Sequence, residues 1–401
     1  MTEIYLDNAA TTRPALEAVH AMLPYLEDNY GNPSSLHQLG RQAKEALQKA
    51  REQIAKKINA EPEEIIFTSG GTESNNLAIK GLAAKQDTKK KNHIITSNIE
   101  HPAILNVCKE LKTKGFSITI IPVEQDGIID PKKIKAAITP KTFLISIMHV
   151  NNEIGTIQPI EEIAAICKDH KIKFHTDAVQ SFTKIPIDTK ALPADMISIS
   201  SHKIHGPKGI GALFIRGGTQ LHPLTHGGGQ ERIIRPGTEN IPGVVGFGTV
   251  SSLTSQEDID RMNKLRIHLT TELLKIPHTK LNGHPDKRLC NNTSISFHFV
   301  EGEALLMHLD LAGIAISTGS ACSSMQLEAS HVLLALGLPH EIAHGTLRFS
   351  LSKYTSEEDI DKTIVAVKES VEKLRKISPL KEGIKVEDHD NHEHHDHINQ
   401  H

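Results

Sequence analysis

The chain has 401 residues and a formal net charge of −3, with 45 Lys and Arg against 48 Asp and Glu. This near balance gives no bulk attraction to nucleic acid or to a membrane, and the lack of Trp argues against a stacking surface for nucleic acid. No apolar run reaches the roughly 20 residues of a membrane helix. The N-terminus has neither a basic region nor an apolar signal core, so we expect a cytoplasmic protein.

Residues 1–13 predict an extended arm, after which Pro14 is expected to open a helix, and a longer amphipathic helix is expected over 35–59. From residue 64 onward, strand-like and helix-like runs alternate. The strands are 64–68, 93–97, 116–121, 143–148, 172–176, 196–200 and 210–215, and the helices are 72–86, 101–114, 131–138 and 159–170. The alternation predicts an α/β fold with a mainly parallel seven-stranded sheet. A tight glycine-rich link before 210–215 favours an antiparallel last strand.

The remainder of the chain predicts a second, smaller α+β domain. Residues 217–240 form a long glycine-rich loop, which is typical of a functional or mobile segment. Helices near 242–253 and 256–275 follow it, then strands at 293–299 and 345–351 with helices near 303–311 and 356–375. We expect an arm over 1–13 that joins the small domain, a large domain over 14–254, a small domain over 255–378 and a disordered His-rich tail over 379–401.

Three polar features follow strands of the predicted sheet. Lys203 precedes a glycine-rich turn, where it is either a Schiff-base nucleophile or an ordinary turn lysine. Asp177 could hold a protonated ring nitrogen or only cap the next turn. Gly71 and Thr72 open a helix whose N–H groups could bind a phosphate, although a plain helix cap by Thr72 would look similar. Because ligands collect at the carboxyl ends of strands, the three together predict a pyridoxal phosphate site.

Three further residues each allow a functional and a plain interpretation. His101 could stack on a flat cofactor and move protons, or be an exposed capping histidine. Asn152 could bind a substrate carboxylate or the ring oxygen of the cofactor, or belong to a polar turn. Arg348 lies in an apolar strand, so it needs a partner, either a bidentate substrate carboxylate or an internal salt bridge.

The four cysteines are widely spaced, which indicates a reduced compartment rather than a disulfide framework or a dedicated zinc site. Cys322 lies among small polar residues and is expected on an exposed loop, where a thiol could carry a covalent intermediate or have no role. Cys108 and Cys167 are expected to be buried within helices. Cys290, in a polar loop, is the exposed rival to Cys322.

Eleven motifs form one set. They are YLDNAATT (5–12), GNPSSLH (31–37), FTSGGTESNNLAIKG (67–81), EHPAI (100–104), SIMHVNNEIGTIQP (146–159), HTDAVQS (175–181), SSHKIHGPKGIGAL (200–213), HGGGQE (226–231), RPGTEN (235–240), STGSACSS (317–324) and LRFSL (347–351). The set closely resembles the cysteine desulfurases of the IscS/NifS type, which are pyridoxal-phosphate enzymes of the class V aminotransferase fold (fold type I). The resemblance runs from residue 4 to about residue 379, so the His-rich tail lies outside it.

The resemblance implies the cofactor pyridoxal 5'-phosphate and a role for each matching residue. Lys203 would bind the cofactor as a Schiff base, Asp177 would pair with its ring nitrogen, and Gln180 with its phenolic oxygen. His101 would stack on the ring and serve as acid and base. The phosphate would be bound by Gly71, Thr72, Ser200 and His202, with Thr238 of the other subunit. Asn152, next to the cofactor, and Arg348 would hold the substrate carboxylate.

The resemblance also implies the reaction and the partners. Cys322 would take sulfur from L-cysteine as a persulfide and release L-alanine. The family works as homodimers and passes sulfur to an IscU-type scaffold for iron–sulfur clusters, with tRNA thiolation as a second outlet. The resemblance is compatible with a transient [2Fe–2S] cluster bound by Cys322. It implies neither a membrane nor a nucleic acid as a direct partner. The alternatives are a selenocysteine lyase or aminotransferase on the same fold, and a non-catalytic interaction subunit.

Overall fold

The computed structural model describes residues 4–318 and 329–378. The helices are α1 (Leu16–Leu26), α2 (Gln38–Lys57), α3 (Gly71–Ala83), α4 (Pro102–Thr113), α5 (Pro131–Ala137), α6 (Ile160–Asp169), α7 (Ile241–Val250), α8 (Gln256–Leu273), α9 (Gly302–Leu311), α10 (His331–Ala335), α11 (His340–His344) and α12 (Glu357–Ile377). None of these helices has the length and apolar character needed to cross a membrane.

The strands alternate with these helices in the first half of the chain and form two larger sheets. They are β1 (Ile4–Tyr5), β2 (Ile65–Thr68), β3 (His93–Ser97), β4 (Ser117–Ile121), β5 (Thr142–Ser146), β6 (Lys173–Asp177), β7 (Met196–Ser200), β8 (Gly211–Ile215), β9 (Thr279–Leu281), β10 (Asn292–Phe297), β11 (Ile314–Ala315), β12 (Ser317–Thr318) and β13 (Thr346–Ser350).

The large sheet has seven strands in the order β2-β8-β7-β6-β5-β3-β4. All its neighbouring pairs are parallel except those of β8, which runs antiparallel to both β2 and β7. Both the mainly parallel seven-stranded sheet and the antiparallel last strand are therefore confirmed. β8 begins at Gly211, where a Cβ atom would lie 2.7 Å from the Cα of Gly70, so only glycine lets these two turns pass each other.

Helices cover both faces of this sheet, because alternate residues of each strand point to opposite sides. Ile65 and Phe67 of β2 belong to the core beneath α1, α2, α6 and α7, whereas Ile66 belongs to the core beneath α3 and α4. Most strands of this sheet are buried along their whole length and rich in apolar residues, which is why the sequence pattern located them within a few residues.

A four-stranded antiparallel sheet, in the order β12-β13-β10-β9, has a core of its own with α8, α9 and α12. The N-terminal arm contributes Ile4 and Leu6 to this core, and β1 pairs in parallel with β11. The domain limits at residues 13, 254 and 378 stay a prediction. The expected helix start at Pro14 is wrong by two residues, because the N–H of Ala15 donates to His205 O at 2.8 Å and Ala15 remains extended.

The glycine-rich loop 217–240 is fastened to the large sheet by a buried ion pair. Arg51 of α2 binds both carboxylate oxygens of Glu231, at 2.5 and 2.9 Å, and also donates to Ile65 O. The same carboxylate accepts the N–H of Phe67 at 2.7 Å. Glu231 has a φ of +39°, a strained value that these bonds stabilise.

We predict that Arg51→Met lowers the free energy of unfolding by about 3–5 kcal/mol, because Glu231 would stay buried without its cation. Urea denaturation of the purified protein measures this. Lys190→Met is the matched control, since Lys190 and Glu61 form an exposed pair, and it should leave the midpoint unchanged. Equal midpoints for the Arg51 variant and the wild type would contradict the structural importance of the pair.

Candidate functional site

The carboxyl ends of three strands meet at one edge of the large sheet. β6 ends at Asp177, and β7 leads into a short helical turn that ends at Lys203. β2 runs in the same direction as β7, because both are antiparallel to β8, and it leads into α3 at Gly71. The structure thus brings the carboxylate, the amine and the helix N-terminus predicted from the sequence to the same edge.

Asp177 is buried and its carboxylate is held by two donors. The side-chain N–H of Asn75 donates to Oδ2 at 2.7 Å, and the backbone N–H of Val179 donates to Oδ1 at 3.0 Å. Asn75 comes from α3, so this helix orients the carboxylate as well as presenting its N-terminus. Asn75 was not among the site residues predicted from the sequence. The signal that could have found it is an amide placed on the apolar, sheet-facing side of the helix.

Lys203 contacts the N-terminal arm. Its ammonium donates to the carbonyl oxygens of Ala9 and Ala10, at 2.6 and 2.5 Å. The side-chain amide of Gln180 donates to the same Ala9 oxygen at 2.9 Å. The arm was not predicted to be part of the site, because it contributes backbone carbonyls, which carry no sequence signal. A second lysine, Lys184, donates to the main-chain oxygens of Gln180 and Lys203, and burial lowers its pKa to about 8.

His101 caps α4, where its Nδ1 accepts the N–H of Ala103 at 3.0 Å. It is half-buried rather than exposed. Burial lowers the pKa of the imidazole, the charge of Asp177 acts in the opposite direction, and Lys203 and His331 lower the pKa further. The ring therefore lies among the charges of the site and is neutral near pH 7, so it can accept a proton there.

Arg348 and Asn152 are neighbours. The Arg348 guanidinium is buried in β13, where Nη1 donates to the main-chain oxygen of Asn152 at 3.2 Å and Nη2 donates to Asp7 at 2.8 Å. The internal salt bridge considered for Arg348 is therefore present. Its Nε has no hydrogen-bond partner in the described part of the chain.

The phosphate-binding candidates are spread over α3, β7 and the loop before α7. The interpretation of Thr72 as a plain helix cap is wrong, because Gly70 is the N-cap residue, with a φ of 154°, and α3 begins at Gly71, one residue before the predicted start at 72. Thr72 is exposed and lies in the first turn. Burial lowers the pKa of His202 to about 4, and its Nδ1 lies 3.2 Å from the Thr11 hydroxyl. Thr238 is exposed.

The residues at this edge fit pyridoxal phosphate. The hydroxyl of Ser200, at the end of β7, is buried and lacks a hydrogen-bond partner among the described residues. The first turn of α3 presents backbone N–H groups toward an anion. At Gly71 a Cβ atom would lie 2.8 Å from the Val179 side chain, so this close approach needs a glycine. An amine, a carboxylate and an anion-binding helix end are the donor set that the cofactor requires.

The cysteines divide as follows. Cys108 and Cys167 are buried in helices, as predicted. The expectation that Cys290 is exposed is wrong, because the polar residues beside it are themselves buried. Asn291 donates to Leu351 O at 2.8 Å and Asn292 donates to Asn152 O at 3.3 Å. Burial raises the pKa of the Cys290 thiol to about 11, so it is a poor nucleophile. Cys322 lies outside the described residues.

We predict that Asn75→Ala weakens retention of the cofactor, since Asp177 would lose a charge-assisted hydrogen bond of about 1.5–3 kcal/mol. Dialysis followed by the visible absorption of bound pyridoxal phosphate measures this. Asn76→Ala is the matched control, because Asn76 is one residue away and donates only within its helix, to Thr72 O. Equal retention by the two variants would show that Asn75 does not orient the carboxylate.

Comparison with known proteins identifies relatives along almost the whole chain. The "Aminotransferase class-V" family model matches residues 4–363. "Cysteine desulfurase IscS" of Dictyoglomus turgidum is 52% identical over 388 residues, which cover 96% of this chain and 98% of the relative. "Cysteine desulfurase IscS" of Methanosarcina thermophila is 52% identical over 381 residues, covering 94% of each.

Solved structures give the same result. A "NifS-like protein" superposes with a TM-score of 0.85 at 38% identity, covering 94% of this chain and 99% of the neighbour. "SspA in complex with cysteine" superposes with a TM-score of 0.79 at 41% identity, covering 88% of this chain and 100% of the neighbour. The fold is thus the one that the sequence motifs implied, and the chain belongs to the class V aminotransferase family.

Proposed function

We propose that this enzyme converts L-cysteine to L-alanine and carries the removed sulfur as a persulfide on Cys322. The activity is that of a cysteine desulfurase, because relatives with that name are 52% identical over 96% of the chain. The observation that carries the assignment is the placement of Asp177 and Lys203 at the ends of the neighbouring strands β6 and β7.

Enzymes of this family use pyridoxal phosphate, which supplies an electron sink for the bonds of a bound amino acid. Lys203 would hold the cofactor covalently, and Asp177, oriented by Asn75, would hold its ring nitrogen. Gln180 would donate to the ring oxygen and His101 would stack on the ring. The phosphate would be held by Gly71, Thr72, Ser200 and His202 of one subunit and by Thr238 of the other.

The substrate would be held by its carboxylate. Arg348 and Asn152 lie side by side, and a guanidinium binds a carboxylate in a bidentate manner. His101 would move protons to and from the substrate, because burial keeps its imidazole neutral near pH 7.

Cys322 would be the sulfur acceptor. Its thiolate attacks the sulfur of the bound cysteine, an S–S bond forms as the C–S bond breaks, and the carbon takes a proton to give alanine. Support for Cys322 over the other thiols comes from the STGSACSS motif and from the burial of Cys108, Cys167 and Cys290.

Further parts of the proposal follow from the family alone. The enzyme would work as a homodimer in the cytoplasm and pass sulfur to an IscU-type scaffold for iron–sulfur clusters, with tRNA thiolation as a second outlet. A transient [2Fe–2S] cluster on Cys322 would be substrate in transit rather than a resident cofactor. A selenocysteine lyase or an aminotransferase is the alternative on this fold, and neither needs Cys322.

We predict that Cys322→Ala abolishes the release of alanine and sulfide from L-cysteine and removes the persulfide detected by mass spectrometry. Cys290→Ala should keep both products, because that thiol is buried and protonated. Undiminished desulfuration by the Cys322 variant would contradict the persulfide mechanism and favour a lyase.

We predict that Arg348→Lys raises KM for L-cysteine by about tenfold or more, since a lysine ammonium cannot make the bidentate contact. Steady-state kinetics measure the effect. An unchanged KM would show that Arg348 does not receive the substrate carboxylate.

A further inference from the structure

The N-terminal arm is fixed beside β13 on both sides of Asp7. The N–H of Ser350 donates to Leu6 O at 2.7 Å, and the N–H of Ala9 donates to the Ser350 hydroxyl at 2.8 Å. The side chain of Asn8 donates to Ser350 O at 2.8 Å. Because Arg348 lies two residues before Ser350 on the same strand, these bonds place Asp7 next to its guanidinium.

The two partners of this ion pair differ in their access to water. Nη2 of Arg348 lies 2.8 Å from Asp7 Oδ1, and the exposed fraction is 3% for the arginine side chain but 21% for the aspartate. A buried guanidinium is costly without an anion, whereas a partly hydrated carboxylate can leave the pair at less cost. Of the two side chains, Asp7 is therefore the one that can leave the pair at lower cost.

Glu153 is the second acidic residue near Arg348, but its carboxyl group binds another side chain. Its carboxyl group is hydrogen-bonded to the Ser330 hydroxyl. Burial raises the pKa of Glu153 to about 7, although the Ser330 hydrogen bond and the charge of Arg348 oppose this effect. Asp7 is thus the anion that neutralises Arg348 when no substrate is bound.

We propose that Asp7 competes with the substrate carboxylate for Arg348 and thereby sets the affinity of the enzyme for α-amino acids. The proposal rests on the proposed function, in which Arg348 receives that carboxylate. An amine that lacks a carboxylate meets a guanidinium that is already neutralised and gains nothing from it. An α-amino acid offers a bidentate carboxylate and displaces Asp7, so its affinity is set by the difference between the two pairings.

The test compares two ligands that differ only in the carboxylate, L-alanine and ethylamine. Each is titrated into the holoenzyme, and binding is followed by calorimetry and by the visible absorption of the cofactor. Asp7→Asn is expected to lower Kd for L-alanine by about tenfold, the order of magnitude of one interaction between desolvated charges. The Kd for ethylamine is expected to stay unchanged. L-alanine should also raise Tm more in the variant than in the wild type.

Asp195→Asn is the matched control. Asp195 forms an ion pair of 2.6 Å with Lys173, and its side chain is 14% exposed. It precedes β7, however, and so lies at the end of that strand away from Lys203. This variant should leave both affinities unchanged. If the Asp7→Asn variant does not fold, Asp7→Ser, which removes the same charge, is used in its place.

Two outcomes separate this inference from the proposed function. The inference is overturned if the Asp7 variants have the same Kd for L-alanine as the wild type, or a higher one, while Arg348→Lys impairs L-alanine binding. Asp7 would then not compete for Arg348. If Arg348→Lys leaves L-alanine binding unchanged, the assignment of Arg348 itself fails.

Discussion

The shared carboxyl edge of β6 and β7 is the constraint on which the site depends. Parallel neighbours end on the same side of a sheet, so a residue at each strand end is brought together without any specific long-range contact. Asp177 and Lys203 occupy these positions. The antiparallel β8 returns the chain beside β7 and allows β2 to deliver α3 to the same edge.

The N-terminal arm joins this edge to the second sheet. Its Ala9 and Ala10 carbonyls accept hydrogen bonds from Lys203, while Asp7 pairs with Arg348 of β13. The proposed cofactor anchor, Lys203, and the proposed substrate anchor, Arg348, are thus linked through a few consecutive residues of the arm. The Asp7–Arg348 pair is a salt bridge, and we propose that a substrate carboxylate displaces Asp7 from it, so the structural and the functional interpretation of Arg348 need not exclude each other.

The sequence was informative where short-range patterns determine structure. Apolar runs located the strands of the large sheet, and the polar residues that follow them located Asp177 and Lys203. It was uninformative where a contact joins distant segments, as between Asn75 and Asp177 or between Asp7 and Arg348. Cys290 was misjudged for the same reason, because hydrophilic neighbours predict exposure unless distant backbone groups bond them in the interior.

The attachment of the cofactor tests the central claim most directly, because two lysines lie together at the sheet edge. Lys184 is half-buried, and this burial lowers its pKa to about 8, which would make it a competent nucleophile. Its ammonium, however, donates to the main-chain oxygens of Gln180 and Lys203. Borohydride reduction of the holoenzyme followed by peptide mass spectrometry locates the modified residue. The account predicts the cofactor on Lys203 alone; a label on Lys184, or on neither lysine, would contradict it.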